Sequence, residues 1–271
     1  RDSSTSRGLG DVYKRQVSNN SSGATNLYFV RSSGFVAGGI LSKIEVNGQE
    51  IAKLGVKEYV NHQTSSNFKI KIANDADCLA VSESIDGSGA DYDSVFAIIM
   101  GTGVGAGFTY RNQLMVGPNK LTGEWGQNPI PGPMDDYEKS VQRHCGRIGA
   151  IEVFLSGPGL ENYFEFITKN YLSSKEIIAL YRTKEKQAVS IMNVYFERAA
   201  RALSTVVNIL DPDVIVLGGG MSNVGRIYEN IPKLLPKYTF SDKIRNKILR
   251  NTHGDSSGVR GAAWLWDSDK F

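Results

Sequence analysis

"SVFAIIMGTGVGAGFTY", residues 94–110, decides how this chain folds. Apolar residues run unbroken from Val95 to Met100, stop at Gly101-Thr102-Gly103, and resume from Ala106 to Tyr110. A short apolar run bounded by glycines reads as a buried strand, and the second run as its hairpin-like continuation. Glycines in the turn let backbone N–H groups converge on an anion, and the Thr102 hydroxyl adds a donor. A plain tight turn between strands explains the same string, so the motif alone leaves both readings open.

Upstream, "FKIKIAND" (68–75) alternates apolar and polar residues and stops at Asn74-Asp75. That pattern predicts a strand delivering two polar side chains at its C-terminal end, followed by a short helix over "ADCLAVSES" (76–84). A carboxylate at a strand end can accept a proton from a substrate hydroxyl during phosphoryl transfer. Capping the helix is the competing role for Asp75. Downstream, "GEWGQNP" (123–129) gathers Glu124, Gln127 and Asn128 between glycines and a proline. Such a loop suits bidentate hydrogen bonds to sugar hydroxyls, and a solvated surface loop would carry the same residues.

"KQAVSIMNVYFERAARALSTVVNILDP" (186–212) places Ala188, Met192, Tyr195, Ala199, Ala202, Val206 and Ile209 at helical steps. Pro212 ends that helix by removing a donor. "DVIVLGGG" (213–220) is then a buried strand running into Gly218, Gly219 and Gly220, where a flat ring could lie on bare backbone. It is not GxGxxG and no acidic residue follows at dinucleotide spacing, so a Rossmann site fits poorly. "SSGVRGAAWLW" (256–266) predicts a last helix, with Trp264 and Trp266 as core anchors, and "KIRNKILR" (243–250) a solvated amphipathic helix. Cys78 reads as a buried small hydrophobe, and His253 as structural or nucleotide-side. Strands alternating with helices imply an α/β architecture, and two glycine loops after two strands suit a nucleotide held between two lobes.

The bulk numbers narrow the function classes. A net charge of +3 over 271 residues, with no basic stripe, gives no sign of nucleic-acid binding. Two cysteines, Cys78 and Cys145, make no disulfide framework, which points to a reducing cytoplasm. "VFAIIM" is far short of the roughly 20 residues a membrane span needs, and no secretion leader is evident. Residues 1–16 are polar and unpatterned and read as a non-native or disordered tail. Residues 17–75 read as the remnant of a small N-terminal lobe, with 17–45 not assignable to elements. Residues 76–271 read as the large lobe, whose last helix can return to the small one.

Taken together, "ANDADCLAVSE", "GTGVGAG", "TGEWGQNPIP", "CGRIGAIEVFLSGPGL", "NILDPDVIVLGGGMSNV" and "HGDSSGVRGAAWLW", in this order between Val46 and Trp266, resemble the ROK (repressor, open reading frame, kinase) family, most nearly its manno(fructo)kinase branch. The resemblance implies an actin-like ATPase (ribonuclease H-like) fold of two lobes. It implies ATP-dependent phosphorylation of the 6-hydroxyl of fructose or mannose, with Mg²⁺ bridging phosphates. Asp75 would be the catalytic base beside the sugar-contacting Asn74, with Glu124 and Glu152 on sugar hydroxyls. Gly101, Thr102 and Gly103 would form a phosphate loop, and Gly218, Gly219 and Gly220 the adenosine side. A hexose is the expected partner, and a homodimer is in keeping with the family.

Two departures stand out. The family pattern Cys-x-Cys-Gly-x-x-Gly-Cys-x-Glu binds zinc together with a histidine, and here Arg143, Ala150 and Gln127 replace three ligands, leaving Cys145. Four thiolate or imidazole donors are the rule for structural zinc, so zinc is not expected, and hydrogen bonds should take its place. The Asp-x-Gly-Gly-Thr first phosphate loop is not found before Phe68, so the chain reads as N-terminally truncated and a poor kinase as written. A sugar-responsive ROK repressor and a non-catalytic sugar-binding protein are the alternatives.

Overall fold

The computed structural model describes residues 17–19, 25–31, 42–46, 49–54, 69–143 and 146–265, with side chains from Ala73 onward. Its strands are β1 (Val17–Asn19), β2 (Thr25–Arg31), β3 (Ser42–Val46), β4 (Gln49–Leu54), β5 (Lys69–Asn74), β6 (Ser94–Met100), β7 (Val104–Tyr110), β8 (Gln113–Leu114), β9 (Val214–Gly218) and β10 (Lys247–Arg250). Its helices are α1 (Asp75–Asp86), α2 (Asp136–Ser140), α3 (Glu152–Leu155), α4 (Gly157–Thr168), α5 (Ser174–Arg182), α6 (Lys186–Leu210), α7 (Ile227–Leu234) and α8 (Ser257–Trp264).

The five-stranded sheet runs β10-β9-β6-β7-β8. β6 and β7 are antiparallel, as the glycine turn between them requires, whereas β9 lies parallel to β6 and β10 parallel to β9. Every residue of β9 is buried, as a strand covered on both faces must be. A second sheet has order β1-β2-β5, with β5 parallel to β2, and β3 and β4 form a hairpin.

α1 starts where β5 stops because Asn74 caps it, its Oδ1 accepting from the Ala76 N–H at 2.8 Å. Asp75 and Asp77 sit in the first turn, where acids favour the helix dipole. α1 packs on β6, β7 and α8. α8 approaches so closely that a Cβ on Gly261 would lie 1.7 Å from the Cys78 carbonyl oxygen. α8 also touches β2.

On the other face, α6 buries Ile191, Met192, Tyr195, Phe196 and Leu203 against Phe154, Leu155 and Leu160. The Tyr195 hydroxyl donates to the Leu155 carbonyl at 2.9 Å, and burial pushes its pKa up. α6 ends at Asp211, in the left-handed region at φ 42°, just before Pro212. The helical stripe fails at its last turn: Ile209 is 80% exposed, because α6 has there run past the core.

The chain departs from expectation at "KIRNKILR". Lys247–Arg250 is a strand pairing with Val214–Leu217, not a solvated helix. Its apolar pair, Ile248-Leu249, is too short for periodicity to separate helix from strand, and the open edge of β9 decides. Cys78 is fully buried, as read. Trp264 packs partly buried beside Cys78, Val81 and Ala262. Trp266 lies outside the described residues, as do His144, Cys145 and the tail 1–16.

Candidate active site

The two glycine turns come out side by side. Ile99 pairs with Gly218 across the parallel β6–β9 ladder, so Gly101–Gly103 and Gly218–Gly220 leave neighbouring strands at the same, carboxyl end of the sheet. Ligand crevices of open α/β sheets lie at that end. The glycines differ in why they are glycines. Gly219 has φ 80° and ψ 177°, a region essentially closed to other residues, and a Cβ there would lie 2.5 Å from the Met100 carbonyl oxygen. A Cβ on Gly218 would press on the Leu79 side chain at 3.0 Å. Among the described residues, a Cβ on Gly101 or Gly220 would meet no atom within 4 Å.

The Gly101 turn is braced from both sides. Its N–H donates to the Gly103 carbonyl at 2.9 Å, and its carbonyl accepts from the Gly157 N–H at 2.8 Å. α4 therefore begins against the turn, with Ser156 capping it through the Gly159 N–H. Thr102 is exposed and Gly103 buried.

Asp75 and Glu124 both border the same stretch of β7. A Cβ on Gly107 would come within 2.6 Å of the Ala76 carbonyl oxygen, so the first turn of α1 rests on β7 there. Gly123, at φ 83°, lies closer still over Ala106, where a Cβ would come within 1.9 Å of the Ala106 carbonyl oxygen, and its carbonyl accepts the Ala106 N–H at 3.1 Å. Asp75 is partly exposed, and its Oδ1 accepts from the Ala76 N–H at 2.9 Å. The cap proposed for Asp75 is thus supplied by Asn74, which is buried. Burial, reinforced by the charges of Asp77 and then Asp75, holds the Cys78 thiol neutral well above its ordinary range.

The sugar-side residues named from sequence separate into two groups. Glu124 opens a single 3₁₀ turn, Glu124–Gln127, and is half-buried, whereas the Asn128 side chain is exposed. Gln127 and Asn128 do not face one way. Gln127 accepts a hydrogen bond from Arg143 Nη1, while Asn128 holds α3 through its backbone, its carbonyl accepting from the Ile151 N–H at 2.9 Å. Glu152, 8% exposed, begins α3. Its Oε1 accepts from Arg143 Nε at 3.1 Å and Nη2 at 2.9 Å, and its Oε2 from the Val104 N–H at 3.3 Å. Arg143 is the residue sequence reading passed over: it registered only as a missing cysteine. His253 bonds to Asp86 at 3.1 Å, beside Arg260 and remote from the turns in sequence.

Among the described residues no three of His, Cys, Asp or Glu gather as metal ligands, and no described helix is long and apolar enough to cross a membrane. A model of the ROK family matches residues 29–269. The chain belongs to the ROK family. Its relatives at 35–39% identity are named N-acetyl-D-glucosamine kinases. One, from Vibrio atlanticus (strain LGP32), is 39% identical over 204 residues, covering 72% of this chain. The chain spans 66% of that relative's length. Among solved structures, the ROK hexokinase from Thermus thermophilus superposes with a TM-score of 0.67 at 22% identity, covering 75% of this chain and 68% of that one. A ROK family glucokinase from Streptomyces griseus, in complex with glucose and AMPPNP, gives 0.64 at 24% identity, covering 73% and 68%. These ROK neighbours establish the actin-like ATPase fold.

Proposed function

We propose that this ROK chain carries the nucleotide and sugar loops of an ATP-dependent sugar kinase that phosphorylates a hexose or N-acetylhexosamine at its 6-hydroxyl. The observation that carries this reading is the pair of glycine turns at the ends of β6 and β9, with Glu152 hydrogen-bonded to the residue after the first. Phosphoryl transfer passes through a loose transition state, so placing donor and acceptor in line matters more than a strong base. The Gly101 and Gly220 turns offer backbone to the nucleotide. Glu124 and Glu152 accept hydrogen bonds from sugar hydroxyls. Asp75, at the start of α1, takes the proton from the attacking hydroxyl. The Mg²⁺ that family membership implies would neutralise phosphate charge, held by the phosphates and at most one or two carboxylates, since no three of His, Cys, Asp or Glu gather among the described residues.

Fructose and mannose were the sugars to which the sequence resemblance pointed. The names of the relatives favour N-acetylglucosamine instead. A coupled assay of ATP-dependent phosphorylation over N-acetylglucosamine, mannose, fructose and glucose separates these. It is run on this chain and on a version carrying a family-type N-terminal lobe. Turnover of one sugar, lost in Asp75→Asn, supports the kinase. Sugar binding with no turnover in either version sinks it in favour of a sugar-responsive sensor.

A further inference from the structure

We propose that Arg143 is the positioning residue of the sugar site, its guanidinium fork holding Glu152 and Gln127 where a zinc-coordinated loop would otherwise hold them. This rests on the sugar-kinase reading for its catalytic consequence, and on geometry alone for its structural one. Three segments distant in sequence meet at this side chain. Nε and Nη2 donate to Glu152 Oε1 at 3.1 and 2.9 Å, and Nη1 donates to Gln127 Oε1. The side chains of Arg143 and Glu152 are only 16% and 10% exposed. A charge-assisted fork in so dry a place fixes direction as well as distance.

The hold extends to the phosphate side. With Oε1 fixed by Arg143, Glu152 presents Oε2 to the Val104 N–H, directly after the Gly101–Gly103 turn. Gly126, next to Gln127, packs against the Val104 carbonyl so tightly that a Cβ would lie 2.3 Å away. The sugar loop, the start of α3 and the first glycine turn are therefore one hydrogen-bonded unit.

The zinc pattern of the family does not fit these residues. A guanidinium has five N–H donors and no lone pair for a metal, and here it donates to Gln127, itself at a position expected to supply a ligand. Arg143 and Gln127 are both substitutions within that pattern, and they bond to each other. The pair reads as one exchange: a metal cross-link replaced by a charge-assisted hydrogen bond.

The experiment compares Arg143→Ala and Arg143→Lys with the parent chain. Amide hydrogen exchange at Val104 needs no substrate. It is expected to speed up by roughly tenfold or more in Arg143→Ala, with Val216 in β9 unchanged. Where the chain or the version carrying a family-type N-terminal lobe turns over sugar, Arg143→Ala is expected to raise the sugar KM about 10- to 100-fold, the usual cost of losing a ligand's supporting partner. The KM for ATP stays within about twofold, and added guanidinium restores part of the sugar KM. Arg143→Lys, a point charge unable to reach both partners, falls between. Unchanged Val104 exchange in folded Arg143→Ala overturns the proposal whether or not the protein is a kinase. Equal loss for sugar and ATP without rescue overturns its positioning role. Absence of turnover in the parent, with Val104 exchange responding, instead counts against the kinase reading alone.

Discussion

At the residue scale, Gly219 and Gly220 are neighbours with opposite constraints. Gly219 is locked by its dihedrals and by the Met100 carbonyl 2.5 Å from any added Cβ. Gly219→Ala is expected to destabilise the fold by about 1–3 kcal/mol, the usual cost of a forbidden backbone conformation, read as a lower denaturant midpoint. A Cβ on Gly220 meets no described residue within 4 Å, so Gly220→Val should leave that midpoint unchanged and weaken AMPPNP binding at least several-fold. Asp75→Asn keeps shape and removes the proton acceptor, and kcat is expected to fall by about 10²–10⁴ with sugar affinity largely retained. From sequence these glycines formed one undifferentiated string, because letters carry no dihedral and no neighbour. The strand end at Asn74-Asp75 was legible because the alternating pattern visibly stops there. Arg143 was not, since its partners lie 16 and 9 positions away and nothing local marks a fork.

At the element scale, the helices are held by buried contacts that can be broken singly. α2 is tied to α6 by Arg198, whose Nε donates to Glu138 Oε1 at 2.8 Å while its guanidinium lies over the Tyr163 ring. Arg198→Met removes one of the two arginines on Glu138, which keeps Arg201 Nη1 on Oε1 at 2.9 Å, and is expected to cost about 1–3 kcal/mol, measured by urea unfolding. The α1–α8 contact gives a pH test. Burial raises the Cys78 thiol pKa in the folded state, with Asp77 and Asp75 adding to it. The folded chain therefore keeps the thiol neutral while the unfolded one ionises above about pH 9.0. Stability from this group is full below that pH and falls as pH rises beyond it. Cys78→Ala should flatten that alkaline decline, and native Cys78 should resist thiol reagents until the chain unfolds. The long elements were readable where apolar runs meet glycine or proline, as in β6, β9 and α6. β10 was not, because an edge strand is decided by the neighbour it covers rather than by its own pattern.

At the scale of the whole molecule, two turns more than a hundred residues apart in the chain become one site only through the parallel pairing of β6 with β9. α/β alternation made the sheet foreseeable, yet the register that sets Ile99 against Gly218 exists only in three dimensions. These two turns are expected to hold one nucleotide together. Amide hydrogen exchange with and without AMPPNP and Mg²⁺, with sugar present, measures this directly. Protection is expected to rise in 101–104 and 218–221 together, while the exposed end of α6 at Ile209 is unaffected. Binding that protects only one turn, or no protection at either, contradicts a shared nucleotide site.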